Sequence, residues 1–235
     1  MTGTLTIAWR ELRSFAVSPF AYVVAALYLA LNGLLFVSDL PGLTEARVDS
    51  WMRHAALLTV FVAPLLSMRA LAEERRSGSL EVLLSSPVTD AAVVVGKYLG
   101  LLGAYTCLLA ATAVYPLMIA LWGAPDSGPI VAGYVGLLLL GAASLGVGLL
   151  ASALSRQQIV AAVLGFVTLL VLWVLDSLAP HLGGGEGLLA YLATNPHVEP
   201  FVRGIIRPQD AVYYTTVAVV AQVVAAKALE SRRWL

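Results

Sequence analysis

The chain is short of charge, of cysteine and of histidine, and each shortage removes a class of function. Charged residues make up 12% of the sequence against 60% hydrophobic ones, with a mean hydropathy of +0.87, which is more apolar material than a soluble core of 235 residues can use. That composition specifies a polytopic membrane protein. The single cysteine, Cys107, lies in an apolar run, so there is no disulfide framework and redox state does not place the compartment. Formal net charge is zero and no basic stripe exists, so there is no nucleic-acid footprint. Three histidines, His54, His181 and His197, stand at segment edges or in loops, and even with Glu199 they lack a metal-ligand spacing such as H-x-x-x-H.

Charge is scarcest inside the apolar segments. An ion-coupled transporter needs ionisable groups deep in its spans, where each costs roughly 2.5 to 3.5 kcal/mol on insertion scales. Asp176 is the one candidate, and its position just before Ala179 reads as the outer interface rather than a proton relay. Ser144, in GAASLGVG, has the glycine surroundings of an intramembrane serine protease, but no histidine sits on a neighbouring span, so Gly141, Gly146 and Gly148 read as helix contacts. Gly96-Lys97 fails the phosphate-loop pattern twice, with Ala91 where the first glycine belongs and Tyr98 where Ser or Thr belongs. ATP is therefore not bound by that route, and Lys97 reads as a cation snorkelling to the interface. Gly96, Gly100 and Ala104 form a small-residue strip suited to close helix packing, with a substrate-lining face as the alternative.

What is present is membrane-length apolar sequence. Spanning a bilayer takes roughly 20 residues, and six segments reach that length, at 19–37, 51–71, 91–122, 129–154, 158–179 and 210–229. The third is overlong, so its start at Val93 to Lys97 is expected to protrude or tilt, and Pro116 to kink its far part. Residues 1–17 place Leu5, Trp9, Leu12 and Ala16 on one helical face and Arg10, Glu11 and Ser14 on the other, with Ile7 out of pattern, which predicts an interfacial elbow helix. The apolar run after Arg10 and Arg13 is long for a signal peptide and lacks a small-x-small exit, so it is read as an anchor. The outer loop 180–209 holds two apolar stretches too short to cross, Leu188 to Leu192 and Phe201 to Ile206, which predict short helices that enter the outer leaflet and return. Asn195-Pro196 reads as a turn between them.

With the termini on the cytoplasmic side, that side receives Arg10, Arg13, Arg69, Arg75, Arg76, Lys97, Arg156, Lys227, Arg232 and Arg233. The other receives only Arg47, Arg53, Arg203 and Arg207. This asymmetry is a positive-inside signal.

One charge-dense stretch stands out, Glu73 to Val88. It opens with Glu73, Glu74, Arg75 and Arg76, breaks at Ser77-Gly78-Ser79, and continues with Leu80, Leu83 and Leu84 on one helical face and Glu81 off it. Pro87 ends that helix, and Asp90 is a candidate cap for the next. An amphipathic element of this kind lies on a membrane surface with its charges free to meet a soluble partner.

The run Glu74-Arg75-Arg76-Ser77-Gly78-Ser79-Leu80-Glu81-Val82-Leu83-Leu84-Ser85-Ser86-Pro87-Val88, followed by Gly96-Lys97, resembles the E-x-x-x-G-[ST]-L-E-x-L-L-x-[ST]-P-[VI] signature of permease subunits of ABC-2-type transporters. Phe201, Arg203-Gly204-Ile205-Ile206, Asp210, Tyr213-Tyr214 and the terminal Leu229-Glu230-Ser231-Arg232-Arg233-Trp234 are similar to the gliding-motility and nitrous-oxide-reductase-accessory permeases. The sequence departs from that pattern where Arg207-Pro208 precedes Asp210.

The resemblance implies an all-α permease with six transmembrane helices, an N-terminal elbow helix and a cytoplasmic coupling helix over 73–88, in a bacterial or archaeal inner membrane with both termini cytoplasmic. It implies docking of an ATP-binding cassette subunit, in two copies, on Glu73, Glu74, Arg75, Arg76, Gly78, Leu80, Glu81, Leu83 and Leu84. ATP and Mg would be held by that subunit, with no cofactor, metal or catalytic residue in this chain. It also implies a second permease chain, identical or homologous, and makes the Gly96, Gly100 and Ala104 strip a candidate permease interface. A membrane anchor, a force-transmitting scaffold or an intramembrane protease built on Ser144 are the competing readings.

Overall fold

The computed structural model describes residues 2–39, 48–77, 89–123, 126–178 and 187–231. Among these every regular element is a helix. The elements are α1 (Thr2–Val17), α2 (Pro19–Asp39), α3 (Asp49–Ser67), α4 (Ala72–Ser77), α5 (Asp90–Ala111) and α6 (Val114–Trp122), then α7 (Ser127–Leu154), α8 (Gln158–Leu178), α9 (Leu188–Leu192), α10 (Asn195–Val202) and α11 (Pro208–Glu230). Six stretches are long and apolar enough to cross a membrane: Pro19–Asp39, Asp49–Arg76, Asp90–Leu121, Ser127–Leu154, Gln158–Leu178 and Pro208–Glu230. A bilayer offers no partner for an unpaired backbone group, and each helix pairs its own.

α7 is the axis of the bundle. It packs against α3, α5, α8, α10 and α11 and is the most completely covered span, whereas α2 and α8 are the least covered. Its glycines create the sockets for this. A Cβ on Gly136 would sit 2.6 Å from Phe201 Cβ, and one on Gly141 would collide with the Tyr105 ring, so each glycine admits a large side chain from a different neighbour. Apolar burial does not drive helices together in lipid; close approach and hydrogen bonds do. Both are present here: Tyr98 and Tyr105 of α5 donate their hydroxyls to the carbonyls of Ala142 and Leu137 at 3.0 Å each.

Four sequence expectations change in detail. The third span breaks at Thr112–Ala113, just before Pro116. Pro116 has no N–H for the Thr112 carbonyl, which instead accepts from Tyr115 N at 3.0 Å. Its start packs within the chain, with Val93, Val94 and Lys97 buried. Thr89, not Asp90, caps α5, its side chain accepting from Ala92 N at 3.3 Å. The second outer helix is Asn195–Val202 rather than Phe201 to Ile206. Pro196 suits the first turn of a helix, so Asn195-Pro196 opens it, and Gly204, at φ 83°, lies in the turn that follows.

Candidate functional site

α1, the last turns of α11, α4, the start of α5 and the α7–α8 junction gather at one end of the bundle, the near end. There α4 is fastened in three directions before the chain enters 78–88. Ser152 of α7 stitches the α3–α4 turn: its hydroxyl accepts from Leu71 N at 3.1 Å and Ala72 N at 3.0 Å and donates to the Met68 carbonyl at 3.0 Å. Arg75 donates through Nη1 to the carbonyls of Ala153 and Ser155, at 2.7 and 3.2 Å. Those carbonyls end α7, where a helix has acceptors without partners and a cation is favoured.

The third fastening is ionic. Lys97 of α5 is only 1% exposed, and its Nζ lies 2.8 Å from Glu74 Oε1 of α4 and 3.2 Å from Glu11 Oε2 of α1. Arg10 approaches the same Glu74 oxygen at 3.5 Å from the exposed side. Lys97 therefore does not snorkel; its head is held inside the protein by two carboxylates from helices far apart in sequence. Arg69 forms a bidentate pair with Glu73 at 2.8 and 3.1 Å, donates to Ser18 Oγ at 3.2 Å and lies over the Phe20 ring.

α1 reaches this joint because α5 has no side chains in the way. A Cβ on Gly100 would lie 2.5 Å from Glu11 Cβ, and one on Gly96 would lie 2.9 Å from the Thr4 carbonyl oxygen and from Ile7. The small-residue strip thus receives the elbow helix of its own chain. Gly103, whose added Cβ would stand 3.5 Å from Leu12, continues it, and Ala104 is only part-buried. Ile7, out of pattern in the sequence, is the residue that buries against α5. Leu5 and Trp9, 64% and 68% exposed, form the outward apolar face.

Of the sequence-derived docking residues, Glu73, Glu74 and Arg75 are thus engaged within the chain, and Arg76 is exposed. Gly78, Leu80, Glu81, Leu83 and Leu84 lie outside the described residues, as does His181.

The opposite, far end holds the element formed by α9 and α10. Phe201 is fully buried in the Gly136 socket, and Arg53 of α3 holds Glu199 of α10 through two bonds of 3.0 and 3.2 Å, with Arg203 adding a third at 2.9 Å. The Arg53 guanidinium holds the Glu199 carboxyl below the usual carboxylate range, opposed by partial burial and aided by Arg203. Asp176 reaches Asn195 of α10 at 3.4 Å, which makes it a far-end tether. His197 bonds Asp210 and the Tyr191 carbonyl, His54 sits beside Asp39 at 3.4 Å, and Ser144 is buried in α7. Among the described residues no group of three or more potential ligands forms a metal site.

Six helices long and apolar enough to cross a membrane make this a multi-pass membrane bundle. The ABC-2 family transporter protein profile matches residues 50–228, well over half of the chain, so this protein belongs to that family and is an ABC-2-type permease. No curated protein matches it. The profile match begins inside α3, so α1 and α2 lie outside it.

Proposed function

We propose that this chain is the membrane subunit of an ATP-driven exporter whose nucleotide chemistry is done by separate ATP-binding cassette subunits, two copies bound to a pair of permease chains. In this reading the near end is cytoplasmic, as the distribution of lysine and arginine requires, in a bacterial or archaeal inner membrane. Segment 73–88 is the element the ATPase moves. The carrying observation is the joint around Lys97: Glu74, four residues before Gly78, is tied to α1 and α5, and Arg75 is tied to the end of α7. A push on the segment therefore reaches three elements at once.

In this reading labour is divided among the charges. Glu73, Glu74 and Arg75 brace the base, and the docking contacts fall to Arg76, Gly78 and Glu81, with Leu80, Leu83 and Leu84 entering the partner. The narrower likeness to gliding-motility and nitrous-oxide-reductase-accessory permeases belongs to this proposal, resting on the motifs after Phe201.

Purification from the native host in mild detergent tests the reading. It predicts a co-purifying subunit with phosphate-loop motifs and vanadate-sensitive ATP hydrolysis. Glu81→Lys is expected to weaken that assembly, and Leu83→Ala to uncouple hydrolysis from transport while membrane insertion is kept. A chain that purifies alone and supports no hydrolysis would instead favour an anchor or scaffold.

A further inference from the structure

A groove of about 700 Å³ runs between α5 and α11 at the near end, walled by Val95, Val219 and Val223. Its mouth is charged. Asp90 comes from the start of α5, and Lys227 and Glu230 from the last turn of α11. Both helices belong to stretches able to cross a membrane, so these charges at their ends lie at headgroup level and the valines lie deeper. Val219 precedes Glu230 by eleven residues. At about 1.5 Å per residue the apolar wall therefore reaches roughly 16 Å below the rim. That is the depth of one leaflet, half of a hydrocarbon core of roughly 30 Å.

We infer that this groove binds one phospholipid whose headgroup carries both a phosphate and a primary ammonium, of the phosphatidylethanolamine class. The wall takes an acyl chain: Val95, Val219 and Val223 are 37%, 52% and 55% exposed, and all three are apolar. The volume lies within the range of ligand pockets, about 300 to 1,000 Å³. The rim selects the headgroup. Lys227 donates to Glu230 at 2.7 Å, and an ammonium has three donors, so two more can reach a phosphate. The lysine is outnumbered by the carboxylates of Asp90 and Glu230, which suits a headgroup that brings a cation of its own and disfavours one that is only anionic. The Lys227–Glu230 pair, 73% and 51% exposed, contributes little by itself and opens readily to such a headgroup.

Simpler ligands match only part of this surface. A free phosphate would suit the lysine and leave the valine wall without a partner, and a fatty acid would set a third carboxylate beside two others. A phosphate and an ammonium on top of an acyl chain meet the lysine, the carboxylates and the valines together. The inference rests on the chain spanning a bilayer and is independent of what the chain transports.

The test uses the full chain in nanodiscs made of equal parts phosphatidylethanolamine and phosphatidylglycerol. A photoreactive diazirine residue replaces Val223 in the groove or, as the reference, Val131, which is 61% exposed on α7 at the far end. After illumination the adducts are identified by mass spectrometry. Position 131 is expected to label both lipids alike, and position 223 to favour phosphatidylethanolamine about fivefold, the order of effect of one surface charge on a headgroup. Asp90→Asn with Glu230→Gln leaves Lys227 alone at the rim and is expected to turn the preference at 223 toward phosphatidylglycerol, with labelling at 131 unchanged as the sign of an intact fold. Four outcomes overturn the site: equal labelling of the two lipids at 223, a wild-type preference for phosphatidylglycerol there, a phosphatidylethanolamine preference that survives neutralisation of the rim, or adducts at 223 formed chiefly with residues 78–88 of the same chain or with a second copy.

Discussion

At the near end a lysine is shared by two carboxylates from α1 and α4; at the far end a histidine is shared by a carboxylate of α11 and a backbone carbonyl of α9. Each centres on a buried side chain, but the lysine joins partners 86 and 23 residues away, whereas the histidine joins partners 13 and 6 residues away. They differ in chemistry. The near joint sets a lysine ammonium between two carboxylates, with Arg10 at its exposed edge. The far one sets one imidazole between a carboxylate and a backbone carbonyl and stacks it on Tyr213. A single bundle thus carries an ionic brace where an engine would attach and a hydrogen-bonded, ring-stacked one where α9 and α10 meet α11.

The comparison breaks first at Lys97. Lys97→Met leaves Glu11 and Glu74 part-buried beside each other with Arg10 as the remaining cation at Glu74, and the expected loss is up to about 3 kcal/mol of stability, read as a lowered unfolding midpoint in detergent. Adding Glu11→Gln and Glu74→Gln is expected to return part of it, because the damage is an uncompensated charge rather than a missing contact. Next comes the strip beneath the elbow. Gly100→Val forces α1 off α5 at a cost of about 1 to 3 kcal/mol and is expected to expose α1 to protease. Gly103→Ala, whose added Cβ meets Leu12 at an ordinary 3.5 Å, should do neither.

Between the two ends, Tyr105→Phe removes the hydroxyl that bonds the Leu137 carbonyl and Thr59, and about 1 kcal/mol should go without any shift in pH response. The smallest effect is expected from Glu199→Gln. The folded pKa of Glu199 lies below its unfolded value, so its stabilisation is present above the ordinary carboxylate range and disappears as pH falls through the folded value. Wild type and variant should therefore differ at neutral pH, by no more than about 1 kcal/mol given the exposure of the pair, and converge in acid.

Apolar run length made the six spans legible, and the facial pattern of Leu5, Trp9, Leu12 and Ala16 against Arg10, Glu11 and Ser14 located the elbow. Run length says nothing of direction around a helix, so the sequence grouped Glu11 with Arg10 and Ser14 on a polar face when it points inward, and left Ile7 unexplained. Lys97 was read as an interfacial cation because its two partners sit 86 and 23 residues away, and no local pattern reports such a pairing. The Gly96 and Gly100 spacing correctly announced a close neighbour, but spacing alone does not say whether that neighbour is α1 or another chain. The His197–Asp210 bond was invisible too: the two residues meet only when the turn at Gly204 brings α10 back onto α11.

The docking of α1 beneath α5 also sets an order of events during biosynthesis. Glu11 leaves the ribosome 86 residues before Lys97 does, and at about 5 to 20 residues per second the interval is roughly 4 to 17 seconds. Throughout that wait the first helix lacks its socket on α5 and has α2 beside it, with Tyr22 bonding the Ala16 carbonyl, while its outward Leu5 and Trp9 can keep it on the bilayer surface. Assembly of this end is therefore scheduled by the third span, and any change that slows its insertion prolongs the time α1 waits without its socket.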